Sequence, residues 1–230
     1  METRIDIARY AQADSNLNDC VPDRVNRTPE ELAARMATLD LLPSPRGPIL
    51  DLGCAGGWGL CELKRRHPDI DVVGVTLFEQ EAAAAREASG CPVLVADMHA
   101  LPAEWAGRFS LVYMAHTLEH SAAPLVALSE ARRVLQDGGW LCVVMPDAQG
   151  YTGMTTDMPN RMDTFPGHVF CASIETTIHL LRKAGLHFKR YHEVEQTCQG
   201  KLEYSHRIFV AHKDARRYNQ WTRRKTEATP

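Results

Sequence analysis

With 230 residues, 44% of them hydrophobic and 24% charged, the chain has the makeup of a globular protein able to bury one sizeable core. A net charge of −3 gives no general pull towards nucleic acid or a membrane surface. No apolar run approaches a membrane span, the start Met-Glu-Thr-Arg-Ile-Asp is unlike a secretory signal, and the seven cysteines form no C-x-x-C pair, so reduced thiols in a cytoplasm are expected.

Residues 1–27 are polar and weakly patterned, with Ile5, Ile7 and Tyr10 as anchors of either a frayed terminus or a lid. Thr28-Pro29-Glu30-Glu31 then reads as a helix start, with an N-cap threonine, proline at the first helical position and a capping-box glutamate. The helix runs to Asp40 with Leu32, Met36 and Leu39 on one face, and the proline-rich stretch Leu41 to Pro48 ends it. Ile49 to Leu52 reads as a short buried strand, followed by a small-residue turn and a helix from Trp58 to Arg66. The alternation continues with strands at Val72 to Val75, Val93 to Ala96, Phe109 to Met114 and Trp140 to Met145. Helices at Glu79 to Ser89 and Pro124 to Leu135 separate them, the second stopping at Asp137-Gly138-Gly139. Such a pattern builds parallel strands with right-handed crossovers, helices on both faces, and ligands above the strands' carboxyl ends.

Residues 147–172 are loop-like and contain Tyr151, Phe165 and His168; Ser173 caps a helix through Ala184, with Gly185 at its end. Two late strands are expected near Phe188 to Val194 and Arg207 to His212. The expected organisation is a helical cap or lid over 1–45, a doubly wound α/β domain over 46–213 with 147–172 as a pocket loop, and a basic tail over 214–230. That tail is a solvated helical or frayed segment by default.

Chemistry concentrates around Ile49-Leu50-Asp51-Leu52-Gly53-Cys54-Ala55-Gly56-Gly57. The small residues leave peptide groups bare, the next helix offers unpaired N–H groups, and Asp51 at the strand end can accept hydrogen bonds. This stretch resembles the first motif, (V/L)(D/E)xGxGxG, of the class I S-adenosylmethionine (SAM) methyltransferases, with Ala55 at the middle glycine, a change that suits a negative φ. A dinucleotide fingerprint fits worse, because Trp58 falls where the third glycine would stand. The resemblance implies a mostly parallel seven-stranded sheet, SAM as cofactor and S-adenosylhomocysteine as product. Its cofactor contacts map onto Asp51, Gly53, Ala55, Gly57, Thr76, Leu77, Glu81, Asp97, Met98 and His116.

In Gly74-Val75-Thr76-Leu77, threonine replaces the usual ribose-binding acid, wording similar to the cyclopropane-fatty-acid synthase branch; Glu81 stands where that branch has a glutamine. Asp97-Met98-His99 resembles an adenine clamp, in which the Asp97 carboxylate receives the exocyclic amine and the next backbone N–H meets a ring nitrogen. His116-Thr117-Leu118-Glu119-His120 and Arg133-Val134-Leu135-x-x-Gly138-Gly139 resemble the HxLEH and RVLxxGG blocks of small-molecule methyltransferases. His116 and His120 are read as sharing a helical face, a spacing that also suits metal, but no third ligand supports a metal site and none is expected. Glu119 and His120 are expected to fix the local backbone.

Methyl transfer to a hydroxyl needs a base, for which His168, His116 and Asp147 are the candidates. The expected acceptor is a small polar molecule such as a sugar or specialised metabolite. O-methylation comes first, N-methylation next, and carbon methylation stays open. A non-catalytic subunit of the same fold is the rival. Membrane and nucleic-acid partners are not expected, and the oligomeric state, a homodimer included, stays open.

Overall fold

The computed structural model describes residues 29–146, 169, 172–198 and 201–214. Tyr10, Asp147, Tyr151, Phe165, His168 and the tail beyond Asp214 lie outside the described residues, as does most of the pocket loop.

The first helix, α1 (Pro29–Asp40), opens on the proline whose fixed φ suits a first turn. Among its described side chains Leu39 is buried as expected, Met36 is partly covered, and Ala34 and Thr38 add to the buried face. Small side chains let α1 lie close against the two last strands. The chain then alternates β1 (Ile49–Leu52), α2 (Trp58–Arg66), β2 (Val72–Thr76), α3 (Glu79–Ser89), β3 (Val93–Val95), β4 (Phe109–Ala115), α4 (Pro124–Val134) and β5 (Leu135–Pro146). It finishes with α5 (Ile174–Lys183), β6 (His187–Cys198) and β7 (Lys201–His212).

Seven strands form one sheet in the order β3-β2-β1-β4-β5-β7-β6. The pairs from β3 to β5 are parallel, whereas β7 runs antiparallel to both β5 and β6. The sheet is therefore mostly parallel, as expected. β1 to β3 and α2 to α4 match their expected limits to within a residue. β5 is longer because Asp137-Gly138-Gly139 stays in the ladder through an irregular register between Phe109 and Leu111. Gly138 takes φ +81° there, and its N–H donates to the Lys213 carbonyl at 3.0 Å. β6 and β7 are also longer than expected, at twelve residues each, since each completes the other's backbone bonds along the antiparallel pair.

Two apolar layers flank the sheet. One face packs Leu39, Leu60, Leu63, Ala82 and Ala85 from α1, α2 and α3. The other packs Ala127, Leu128, Ala131 and Val134 from α4 with Leu181 from α5. Cys54 and Cys142 are buried free thiols within this packing, and burial pushes Cys142 up to about 12. Ser173 caps α5 by accepting the Thr176 N–H at 3.2 Å. No helix among the described residues is long and apolar enough to cross a membrane. The amino-terminal rim of the sheet carries a cleft of about 270 Å³ lined by Lys64, Asp71, Pro92 and Arg108. Its Lys64 ammonium is committed to the carbonyls of Pro68 and Ile70, and no motif residue lines it.

Candidate functional site at the carboxyl ends of the strands

The strand order reverses between β1 and β4, which opens a crevice above their carboxyl ends. The β1–α2 turn forms its floor. Gly53 and Cys54 both donate to the Val75 carbonyl, at 2.8 and 2.9 Å, which pins the turn to the tip of β2. Gly53 and Gly57 take φ of +92° and +89°, a region that favours glycine. A Cβ on Gly53 would also fall 2.2 Å from the Thr117 hydroxyl oxygen, so the segment after β4 closes over the turn only because that atom is missing. Ala55 does not meet the expected negative φ. It sits at +44°, in the left-handed region, and carries the strain that a glycine would avoid.

Asp51 is 3% exposed and its carboxylate makes no hydrogen bond among the described residues. Burial alone pushes its pKa from 3.8 up to about 7. The close approach of helix to strand occurs at Gly59, where a Cβ would lie 2.5 Å from Asp51 Oδ2. Trp58 stands to the side, with the Arg35 guanidinium 5.9 Å from its ring centroid. Gly57 has no capping side chain, and Cys61 is the first amide to reach back, to the Gly57 carbonyl at 3.0 Å. The helix mouth, with its partial positive charge, thus opens on the crevice beside an uncompensated carboxylate.

At the tip of β2, the buried Thr76 hydroxyl donates to the Glu81 carboxylate. The acid that the strand end lacks is supplied from the first turn of α3, five residues on. Leu77 is 40% exposed and Val95 36%, so two apolar side chains stand open at the ends of β2 and β3. Beyond β3, Asp97 Oδ1 accepts the His99 N–H at 3.0 Å and contacts His99 Nδ1 at 2.6 Å. Burial works against the Asp97 charge, but the His99 hydrogen bonds outweigh it and hold the carboxyl below its ordinary value. Arg133, which opens the RVLxxGG block, and Glu130 three residues before it secure this loop: Glu130 accepts the Leu101 N–H at 2.9 Å, and Arg133 donates to the Leu101 and Pro102 carbonyls at 2.9 and 3.1 Å.

The HxLEH residues do not lie on a helical face. His116 has φ +52° at the end of β4, and only Leu118–His120 forms a single 3-10 turn, so the i and i+4 alignment of His116 with His120 is not made. Instead, His116 Nε2 meets His206 Nδ1 at 2.8 Å, and His116 Nδ1 lies 3.4 Å from Glu119 Oε1. Glu119 and His206 are fully buried, and neither Glu119 oxygen has a hydrogen-bond partner among the described residues. Burial pushes His116 down despite the pull of Glu119, and pushes His206 to about 2 with help from His116 and Arg35. Glu119 is raised by burial but more strongly lowered by the His116 and His120 imidazoles.

Sequence reasoning missed Ser121, Arg35 and His206, and it gave the His99 ring no role although His99 stood in the clamp motif. Ser121 directly follows the HxLEH block, which was a usable signal; His206 lies 90 residues from His116 and had none.

Residues 50–143 match a family described as a methyltransferase domain. The trans-aconitate 2-methyltransferase of Acidovorax sp. is 33% identical over 120 residues, covering 51% of this chain and 43% of the relative. The malonyl-[acyl-carrier protein] O-methyltransferase of Legionella pneumophila is 30% identical over 124 residues, covering 52% of this chain and again 43% of the relative. The chain thus spans less than half the length of these curated relatives. A crystal structure of a SAM-dependent methyltransferase from Thermotoga maritima shares the fold, with a TM-score of 0.63 at 24% identity over 80% of this chain and 88% of that one. An unpartnered Asp51, bare turn peptides and the free Oδ2 of Asp97 suit a cationic nucleoside with donors at both ends. In strand order and in the matched segment, the core of this chain is similar to the methyltransferase domains of the class I type, whose cofactor is S-adenosylmethionine.

Proposed function

We propose that the protein transfers a methyl group from S-adenosylmethionine to an oxygen of a small polar acceptor. The observation that carries this reading is the buried, uncompensated Asp51 carboxylate at the mouth of a glycine-lined crevice. Asp51 and the α2 amides would hold the amino-acid end of the cofactor, Glu81 with Thr76 the ribose hydroxyls, Leu77 an adenine face, and Asp97 with the Met98 N–H the adenine edge. When bound, the cofactor supplies an electrophilic methyl carbon on a sulfonium, which departs as the neutral thioether of S-adenosylhomocysteine. The residues around it align the acceptor oxygen with that carbon and keep water out.

An acceptor hydroxyl must lose its proton. His116 is poorly free to take it, because both ring nitrogens already face protein groups, Glu119 and His206. We assign His116 to orienting the acceptor side of the crevice and give the proton-taking role to His168, with Asp147 as the alternative. Calorimetry with S-adenosylhomocysteine, followed by methyl-transfer assays on hydroxyl, amine and carboxylate acceptors, tests the proposal. Failure to bind would end it, and tight binding without turnover on any acceptor would favour a binding subunit. His168→Asn should cut turnover on a hydroxyl acceptor by about 100-fold or more with cofactor affinity unchanged.

A second reading is an acid acceptor, whose carboxylate needs no base. It is supported by the engaged His116 ring and by the relatives named for trans-aconitate and for malonyl-acyl-carrier protein, both acids. Under that reading His168→Asn leaves turnover unchanged.

A further inference from the structure

We infer that His99 and Ser121 are positioning residues that lock the Asp97 carboxylate for one hydrogen bond to the cofactor's adenine amine. The inference rests on the reading of Asp97 as the adenine clamp. Four contacts form a directed chain. The Ala123 N–H donates to Ser121 Oγ at 3.2 Å, just before α4 begins. The ionised Asp97 carboxylate can only accept, so the ring nitrogen that faces its Oδ1 at 2.6 Å, His99 Nδ1, carries a hydrogen. In the neutral imidazole Nε2 is then the acceptor, and the Ser121 hydroxyl, 2.6 Å away, donates to it. The His99 N–H adds a second bond to the same oxygen at 3.0 Å. Oδ1 is saturated, and Oδ2 is the one Asp97 oxygen without a partner among the described residues.

The carboxylate–imidazole–hydroxyl connectivity would suit a nucleophilic serine, but Ser121 is fully buried and meets no solvent. Its own N–H is held by the Leu118 carbonyl at 3.0 Å, so it is anchored to the turn that carries Glu119. What such a chain can do is support. An aspartate at the start of a loop would otherwise rotate, and ordering it would reduce cofactor affinity; the chain makes that ordering part of folding.

The test is calorimetric titration of the full chain with S-adenosylhomocysteine and with its analogue bearing hydrogen in place of the exocyclic amine. The wild type should prefer the amine-bearing ligand by about tenfold or more, as expected for a bond to a charged acceptor. Ser121→Ala and His99→Leu, each checked for native folding by circular dichroism, should bind S-adenosylhomocysteine more weakly. Their preference should fall to about threefold or less, because a mobile carboxylate no longer reads the amine. A change that merely loosened the fold would weaken both ligands equally and leave the preference intact. Full preference in both variants overturns the buttress while leaving the clamp standing. No preference in the wild type overturns the clamp itself, and the buttress with it.

Discussion

Asp51→Asn should make the ligand-free protein more stable at pH 8 while weakening its hold on the cofactor. Asp51 lies at the tip of β1, 3% exposed and without a hydrogen-bond partner among the described residues, and burial raises its carboxyl from 3.8 to about 7. The folded state therefore keeps a proton that the unfolded chain has lost between about pH 4 and pH 7, and stability falls as pH rises through that window. The full cost at pH 8 is about 4 kcal/mol for a change of this size. Relaxation and water entering the crevice bring the measurable gain on removing the charge to about 2 kcal/mol. Asparagine is neutral throughout, so the gain should be near zero at pH 4 and full at pH 8. Urea unfolding followed by circular dichroism at both values, with the same m-value for both proteins, reads the difference. The same logic makes cofactor binding release a proton at pH 6, because a cationic ligand stabilises the ionised carboxylate. Calorimetry in two buffers of different ionisation enthalpy would detect that proton. An equal effect of Asp51→Asn at pH 4 and pH 8, or a loss of stability at pH 8, would refute the argument.

Three further outcomes follow from the same geometry. Ala55→Gly should stabilise the protein by about 0.5–1 kcal/mol in urea unfolding, since relief of the +44° φ exceeds the added entropy of an unfolded glycine, and cofactor affinity should be unchanged. Asp97→Ala should weaken S-adenosylhomocysteine binding by about 1–3 kcal/mol by calorimetry; unchanged affinity would remove the clamp. Glu119→Gln should cost about 1–2 kcal/mol of stability at pH 7, because the His116 and His120 imidazoles hold the buried carboxyl below its usual value, against the cost of burial. That cost should fade as pH falls below the ordinary carboxylate range, where the unfolded chain also becomes protonated.

Local features were legible and distant ones were not. The turn after β1, the limits of α2 and α3 and the Ser173 cap follow from residues adjacent in sequence. The Thr76–Glu81 pair was within reach because one strand-to-helix turn spans it. The polar β6 showed only part of its length, since its extension depends on backbone pairing with β7 and not on an apolar alternation. The helical reading of His116 and His120 failed because spacing says nothing about a residue held at positive φ. The pairing of His116 with His206 arises from the antiparallel return of β7 beside β5, which brings Pro146 level with His206.

Two buried carboxylates belong to neighbouring elements: Asp51 lies one residue before the end of β1, and Glu119 follows β4, its parallel partner. Both are buried, neither has a hydrogen-bond partner for its carboxylate oxygens among the described residues, and their pKa values move in opposite directions. Glu119 keeps its charge because imidazoles stand beside it, whereas Asp51 has only desolvation. A buried carboxylate without a partner destabilises the fold unless something else restores its environment. Near the helix mouth and the bare turn, what restores it is a ligand carrying positive charge and hydrogen-bond donors. Under the proposed function, Asp51 is the group whose stability cost in the free protein becomes binding free energy when the cofactor arrives, which is why its substitution should move folding and affinity in opposite directions.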